Sequence, residues 1–254
     1  MTTFGVGWGI AFRTLKKAFT QPAFLIPSLM FPVIFFLGFA GALSRVDEVP
    51  GFDYAPGYET FQFAFVLLQS AAMGGVFTGF GIAQDFERGF ARRLMIGAPQ
   101  RGGILLGYAL ATLVRWVFNI TVVFVIGLVI GMEVLANPAE LTALLGLGLL
   151  VNLVGALWAA GVALRLRSTQ AGPIMQFPIF LLIFLAPVFV PLALLEGWIH
   201  DVASVNPFTA FLAAARSLLA GDETGVGVAF AIVVPLVCGF ALWAVTGLRA
   251  AARG

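Results

Sequence analysis

Residues 61–83 read FQFAFVLLQSAAMGGVFTGFGIA and contain no charged side chain. About 20 apolar residues form a helix that crosses the roughly 30 Å hydrocarbon core of a bilayer, so this stretch is long enough to span a membrane. The chain has five further stretches of this kind, and Arg115 is the only charge within any of them. They are residues 22–43, 104–132, 141–164, 174–195 and 225–248. The sequence therefore predicts an all-α integral membrane protein in which residues 1–254 form one domain with six transmembrane helices.

The charges between these stretches are separated by sign. Ten of the twelve acidic residues lie on one side of the predicted membrane, with Arg45 and Arg216 as the only cations there. The other side holds eleven of the fourteen basic residues: Arg13, Lys16, Lys17, Arg88, Arg92, Arg93, Arg101, Arg165, Arg167, Arg249 and Arg253. Because cytoplasmic loops carry an excess of Lys and Arg, both termini are predicted to be cytoplasmic.

Composition indicates the same class of protein. Hydrophobic residues make up 61% of the chain and charged residues 10%, and the mean hydropathy is +1.03. A soluble domain of 254 residues could not bury so much apolar surface. The net charge of +2 suits anchoring to anionic lipid headgroups, and we expect no nucleic-acid partner because the basic residues are spread over short loops.

The chain lacks the residue patterns of an enzyme or an ion-coupled transporter. No Asp, Glu, Lys or His lies within the six stretches, and Arg115 is expected to extend to the cytoplasmic interface. His200 is the only histidine, so no metal site built on a histidine pair is expected. No P-loop motif is present either, so ATP and magnesium would have to bind a separate ATPase. We predict no catalytic residue, metal or cofactor in this chain.

An amphipathic helix is predicted for residues 4–20, before the first span. Trp8, Phe12, Leu15 and Phe19 recur at helical spacing and gather on one face. Such a helix lies in the membrane interface, with its aromatic side chains at the acyl boundary and its cations among the lipid headgroups. Whether it only anchors the chain or also contacts a cytoplasmic partner is left open.

The largest predicted cytoplasmic loop is residues 84–103. Its acidic residues precede its basic ones, which is the order that a helix dipole favours, and Gly97 and Pro99 end the predicted short helix. A short charged helix between two spans suits a groove on a soluble partner. Its candidate contact residues are Asp85, Glu87, Arg88, Gly89, Arg92, Arg93, Leu94 and Pro99.

This loop resembles the coupling helix of the second type of ATP-binding-cassette (ABC) exporter permeases. The resemblance is carried by Glu87, Gly89, Leu94, Pro99 and Arg101, followed by a glycine-rich entry to the next span. The six-span topology, the amphipathic helix at the amino terminus and the chain length are similar to this family too. The resemblance implies that the loop transmits nucleotide-driven movement from an ATPase.

A second segment, residues 196–221, resembles the short external re-entrant helices of the same family. Glu196, Asp201 and Arg216 make a full crossing costly, so the segment is expected to dip into the outer half of the membrane. The family resemblance is carried by Gly197, Trp198, Arg216 and residues 206–209, which read Asn-Pro-Phe-Thr. It implies an external gate, with Trp198, Asn206, Pro207 and Arg216 as its candidate residues.

The resemblance also implies the partners and the location of the protein. It implies one permease subunit in a bacterial cytoplasmic (inner) membrane, paired with a second copy or a sibling permease and with cytoplasmic ABC ATPase subunits. The cargo is expected to be a hydrophobic or amphipathic small molecule, because no charged groups line the spans. Export of polysaccharide or haem is the alternative within the family. A channel or scaffold that does not use ATP is the alternative outside it.

A cargo route is predicted along the second and fifth spans. Phe65, Gln69 and Met73 share one helical face, and prolines divide or kink residues 174–195. The candidate route residues are Phe65, Gln69, Met73, Gln176, Phe180 and Phe184. Packing within the bundle is one alternative role for these side chains, and contact with lipid is another for Phe180 and Phe184.

Two glycine pairs are expected to let helices approach closely. They are Gly75 with Gly79 in the second span and Gly127 with Gly131 in the third. Small residues at this spacing allow two backbones in a membrane to touch.

Overall fold

The computed structural model describes residues 3–20, 22–97 and 102–252, and every regular element in those ranges is helical. The α-helices are α1 Thr3–Thr20, α2 Pro22–Ala42, α3 Gly57–Glu87, α4 Phe90–Gly97, α5 Gly102–Val129, α6 Pro138–Leu166, α7 Gly172–Phe184, α8 Trp198–Val205, α9 Pro207–Leu219 and α10 Val226–Ala251. Short 3₁₀ turns occupy Ser44–Glu48, Thr169–Ala171 and Leu192–Leu194. The prediction of an all-α fold is confirmed.

Four helices in the described ranges are long and apolar enough to cross a membrane: α3, α5, α6 and α10. Helices α8 and α9 together also meet this criterion, but they are bent by 77° relative to each other, as in a broken span or a re-entrant loop. Shorter apolar helical segments cover Ser28–Ala42 and Thr169–Phe184. By length and composition, the described residues therefore supply four spans, or five with the bent pair, where the sequence predicts six.

The predicted fifth span, residues 174–195, is helical only as far as Phe184. Pro187 and Pro191 follow, and each lacks the backbone N–H that a continuing helix would need. The chain then passes through the turn Leu192–Leu194 to Gly197. Gly197 has a φ of +66° and is the residue immediately before α8. This irregular segment is part of the candidate site described below.

Helix α3 lies at the centre of the molecule. It packs along α6 and also contacts α2, α5, α7 and α9, while α10 packs on the other side of α6 and α1 packs on α5. Two core clusters meet along α3, one containing Phe63–Met73 of this helix and the other Val76–Phe86. Each end of the helix is thereby held by a different set of neighbours.

Helix α6 begins at a capping box that the sequence encodes locally. The Asn137 side chain accepts hydrogen bonds from the backbone N–H groups of Ala139 and Glu140, and the Glu140 carboxylate accepts one from the Asn137 N–H at 2.7 Å. Pro138 occupies the first helical position, where its missing N–H costs nothing. At the other end Arg167 adopts φ 54°, so α6 ends in a left-handed residue.

Close contact between α3 and α6 depends on glycine. A Cβ added to Gly75 would collide with the carbonyl oxygen of Asn152 and lie 2.6 Å from the Ala156 nitrogen. One added to Gly79 would lie 2.6 Å from the Ala159 Cβ, so the pair predicted from spacing does let two helices touch.

The second predicted glycine pair has a different role. A Cβ on Gly127 would meet Met132 at 3.0 Å, but Gly131 has open space around it and a φ of +100°. Gly131 lies beyond the end of α5, in the turn that follows. The prediction that it packs against a neighbouring helix is therefore wrong, because its backbone conformation is what requires glycine there.

Replacing Gly75 with alanine is expected to lower the free energy of unfolding by about 1–3 kcal/mol, because α3 and α6 must separate to admit the methyl group. The matched control is Gly239→Ala in α10, where nothing lies within 4 Å of an added Cβ. This control should match the parent protein or exceed its stability, since alanine favours helix more than glycine. Thermal unfolding in detergent measures both variants, and equal melting temperatures would contradict the predicted α3–α6 contact.

Candidate functional site

The first candidate site is the end of α3 that carries Glu87. Gly89 has a φ of +73°, which separates α3 from the short helix α4. The Glu87 carboxylate accepts hydrogen bonds from the Thr169 N–H at 2.7 Å, the Thr169 hydroxyl at 2.9 Å and the Ser168 hydroxyl at 3.3 Å. One exposed side chain therefore ties the α3–α4 turn to the α6–α7 turn.

Asp85, two residues earlier, is buried and contacts two other helices. Its carboxylate accepts two hydrogen bonds from the Arg13 guanidinium, at 3.0 and 3.1 Å, and a third from the Tyr108 hydroxyl. The guanidinium carbon of Arg13 also lies 3.7 Å from the centre of the Phe90 ring. These contacts join α1, α3, α4 and α5, and hydrogen bonding to Asp85 raises the pKa of Arg13.

The amphipathic helix α1 only partly matches its predicted arrangement. Of the predicted apolar face, Trp8, Phe12 and Phe19 are exposed, as expected for side chains at an acyl boundary, whereas Leu15 is half-buried. Lys17, however, donates a hydrogen bond to the Gln84 side chain at 2.7 Å, just as Arg13 binds Asp85. Two of the cations of α1 therefore have protein acceptors on α3, and the prediction that these cations lie among lipid headgroups stays a prediction. Burial and the nearby Arg88 lower the pKa of Lys17.

The remaining predicted contact residues differ in how they are placed. Arg88 and Arg93 are exposed, while Leu94 is half-buried and packs against the core cluster that contains Ala91. Arg92 lies within α4, but its side chain is outside the described residues. Pro99 lies outside them as well. We define the coupling surface as Glu87, Arg88, Arg93 and residues 167–170.

The second candidate site surrounds Arg216, which is buried in α9. Its guanidinium donates to the carbonyl oxygens of Pro187 and Val188, both at 2.9 Å. It also lies 3.2 Å from the centre of the Phe61 ring. No carboxylate among the described residues forms an ion pair with it, so backbone carbonyls and an aromatic face replace a counter-ion.

Three further side chains bond to α7, to α9 and to the irregular segment that follows α7. The hydroxyl of Tyr58 donates to the Phe189 carbonyl oxygen at 3.1 Å, and the Tyr54 hydroxyl donates to the Arg216 carbonyl oxygen at 2.8 Å. Asn206 donates to the Leu182 carbonyl oxygen at 2.7 Å, and its side-chain oxygen accepts from the Phe208 N–H as the cap of α9. Burial raises the pKa of Tyr54.

The four predicted gate residues differ in burial and in hydrogen bonding. Arg216 and Asn206 are buried and bonded to α7 or the segment after it, and Pro207 begins α9. Trp198 is 71% exposed at the start of α8. Sequence reasoning missed Tyr54 and Tyr58, although tyrosines just before an apolar span have the polar tip and apolar ring that suit such a position.

The predicted route residues lie in and beside the larger core cluster. Phe65, Gln69 and Met73 are buried in it, and the Gln69 side-chain oxygen has no hydrogen-bond partner. Phe180 packs against the same cluster and stacks on Phe184 with ring centres 5.9 Å apart. Phe184 is 61% exposed. Gln176 is half-buried on α7.

Known proteins match this chain over most of its length. A family model described as "ABC-2 family transporter protein" matches residues 42–248. The "Daunorubicin resistance ABC transporter permease protein DrrB1" of Streptomyces coeruleorubidus is 25% identical over 230 residues, which cover 87% of this chain and 77% of that protein. The "Putative transport permease ycf38" of Pyropia yezoensis is 24% identical over 213 residues, which cover 81% of this chain and 71% of that protein.

Proposed function

Because the chain belongs to the ABC-2 family of transporter proteins, we propose that it is the membrane permease subunit of an ATP-driven exporter for hydrophobic or amphipathic compounds. Its long apolar helices support the assignment to the membrane. The name of the Streptomyces relative, which refers to daunorubicin resistance, supports a drug-like cargo. ATP and magnesium would bind the partner ATPase, since no P-loop occurs in this sequence.

The observation that carries the coupling part of this proposal is the attachment of Glu87 to Ser168 and Thr169. Two turns that are distant in sequence form one surface there, on which Glu87, Arg88 and Arg93 are exposed. An ATPase that docks on the coupling surface would contact both turns at once. Movement of the ATPase would then reach α3 and α6 together.

Co-purification tests the function. The permease is expressed with candidate ABC ATPases from the same genome, and any complex is purified in detergent. We expect a stable complex whose ATP hydrolysis is stimulated by an apolar drug. Stimulation only by a polysaccharide precursor or by haem would reassign the cargo within the family. Failure of any ABC ATPase to bind, or ion conduction by the permease alone, would overturn the proposal.

The proposed topology has both termini in the cytoplasm of a bacterial inner membrane and residues 196–221 in the outer half of the bilayer. In a Cys238→Ser background, cysteines introduced at Ser204 and Asp222 are expected to react with an impermeant maleimide in intact cells. Arg93→Cys is the control and should react only after the membrane is permeabilised. Labelling of Ser204→Cys and Asp222→Cys from opposite sides would contradict the six-span topology.

We propose that the cargo contacts α3 and α7 near Gln69, Phe180 and Phe184. Replacing both phenylalanines with alanine is expected to raise the half-maximal stimulating drug concentration about fivefold, because aromatic contacts with an apolar cargo are lost. Basal ATP hydrolysis should stay within about twofold, since the coupling surface is intact.

The matched control for this variant removes the ring pair Phe19–Phe118, whose centres are 5.1 Å apart and far from α7 along the chain. It should leave the drug dependence unchanged. If the Phe180 and Phe184 variant loses yield but keeps the parent's half-maximal concentration, the two rings serve packing and the route lies elsewhere.

A further inference from the structure

A small cavity of about 60 Å³ lies between α1, α3 and α5. Its polar lining includes Arg13 and Lys17 from α1, Asp85 from α3 and Arg115 from α5. The Arg115 guanidinium donates to the Gly74 carbonyl oxygen of α3 at 2.8 Å. Its expected extension to the membrane interface stays a prediction.

The cavity has an excess of positive charge. Its lining contains three cationic side chains and one carboxylate, and the carboxylate of Asp85 already accepts hydrogen bonds from Arg13 and Tyr108. Among the described residues no carboxylate forms an ion pair with Arg115. The Thr14 hydroxyl oxygen, which also lines the cavity, is buried without a hydrogen-bond partner. Arg13, Lys17 and Arg115 are half-buried, and cations partly removed from water carry a cost, as does a buried hydroxyl group without a partner. A bound anion would lower both costs.

The surroundings of the cavity favour an anion that carries apolar chains. Leu15 and Phe77 also line it, and Phe77 is 42% exposed. On α5, Val114 beside Arg115 is 49% exposed. A phosphate in the cavity could therefore accept from guanidinium and ammonium groups while its acyl chains lie against these apolar side chains.

We propose that this cavity binds the phosphate of an anionic phospholipid from the leaflet that contains α1. Basic pockets between transmembrane helices are suited to lipid headgroups of this kind. The bound lipid would link α1 to α3 and α5, in addition to the Arg13–Asp85 ion pair. The site does not depend on what the protein exports.

The test is lipid binding to the purified permease–ATPase complex. The probes are short-chain phosphatidylglycerol, phosphatidylcholine of the same chain length, and inorganic phosphate. Native mass spectrometry counts the bound lipid, and a thermal-shift titration gives its affinity. We expect one phosphatidylglycerol per permease chain, and about tenfold weaker binding in Lys17→Gln and in Arg115→Gln, since each variant loses a charged hydrogen-bond donor.

Lys16→Gln is the matched control, because Lys16 is the adjacent cation of α1, is exposed and does not line the cavity. Its affinity for phosphatidylglycerol should change by less than about twofold. If Arg115→Gln does not fold, the affinities of Lys17→Gln and Thr14→Val for phosphatidylglycerol test the proposal, and both variants should bind it more weakly than the parent protein. Equal weakening in Lys16→Gln, or equal affinity for phosphatidylcholine, would overturn the proposal. Inorganic phosphate binding as tightly as the lipid would show a free-anion site and would overturn the lipid assignment.

Discussion

Replacing Arg216 with methionine is expected to lower the free energy of unfolding by about 3 kcal/mol or more, because hydrogen bonds to charged groups contribute roughly 1.5–3 kcal/mol each. The Pro187 and Val188 carbonyl oxygens both lose their donor at 2.9 Å, and the Phe61 ring loses its cation. Methionine fills a similar volume, so the loss reports on hydrogen bonds rather than on a cavity. Thermal unfolding in detergent measures it.

Two controls define this effect. Arg45→Met removes an exposed cation from the segment before α3 and should change stability little. Arg216→Lys keeps the charge but cannot donate to two carbonyl oxygens as a fork, so its stability should lie between those of the parent and Arg216→Met. If Arg216→Met unfolds at the same temperature as the parent protein, the segment after α7 is held by other contacts.

Replacing Glu87 with glutamine is expected to uncouple ATP hydrolysis from export. The Gln amide oxygen can still accept from Ser168 and Thr169, but without the negative charge these hydrogen bonds are weaker, so the two turns of the coupling surface are less firmly linked. Export should fall about tenfold, a loss within the usual range for coupling between two sites. Basal hydrolysis should stay within about twofold of the parent value. Drug efflux and ATP hydrolysis measured in the same vesicles give both values.

Thr169→Val removes the partner hydroxyl and should reproduce part of the effect, although the Thr169 N–H can still donate to Glu87. The control is Glu196→Gln, which neutralises an exposed carboxylate in the predicted external segment. Export at the parent rate in Glu87→Gln would contradict the role of this carboxylate in coupling.

Hydropathy alone was sufficient to predict the long helices. The stretches at 61–83 and 141–164 lie within helices that are long enough to cross a membrane. Those at 104–132 and 225–248 lie within such helices except for residues 130–132 and Gly225. It failed at 174–195, where the apolar run continues past the helix end at Phe184. A hydropathy average does not register that Pro187 and Pro191 stop the backbone hydrogen bonds, whereas the proline positions themselves indicated a divided helix.

The environments of the candidate residues were harder to predict. Asp85 and Glu87 are two residues apart on a helix, so they point in roughly opposite directions, one toward Arg13 and the other toward Thr169. These partners lie 72 and 82 residues away in the sequence. A single sequence does not indicate such pairs, because they depend on which helices pack together.

Arg216 illustrates the same limit. The sequence marked it as a costly charge in an apolar region, and that cost correctly identified it as unusual. Its acceptors, however, are backbone carbonyl oxygens of residues 187 and 188, and carbonyl groups leave no signature in the side-chain pattern. Only the irregular backbone after α7 exposes them.

Helix α3 has a mechanical consequence for the whole molecule. Its 31 residues contain no proline and extend about 46 Å, from Gly57 to Glu87. Glu87 lies at one end, and Tyr58 and Gln62 at the other contact the carbonyl oxygens of Phe189 and Val188. Helix α3 is continuous, and Gly75 and Gly79 hold it in close contact with α6. We therefore expect a displacement of Glu87 along the helix axis to reach Tyr58 at the other end with little loss. Such a displacement would reach the segment after α7, which side chains of Tyr58, Gln62 and Arg216 hold in place of helical hydrogen bonds.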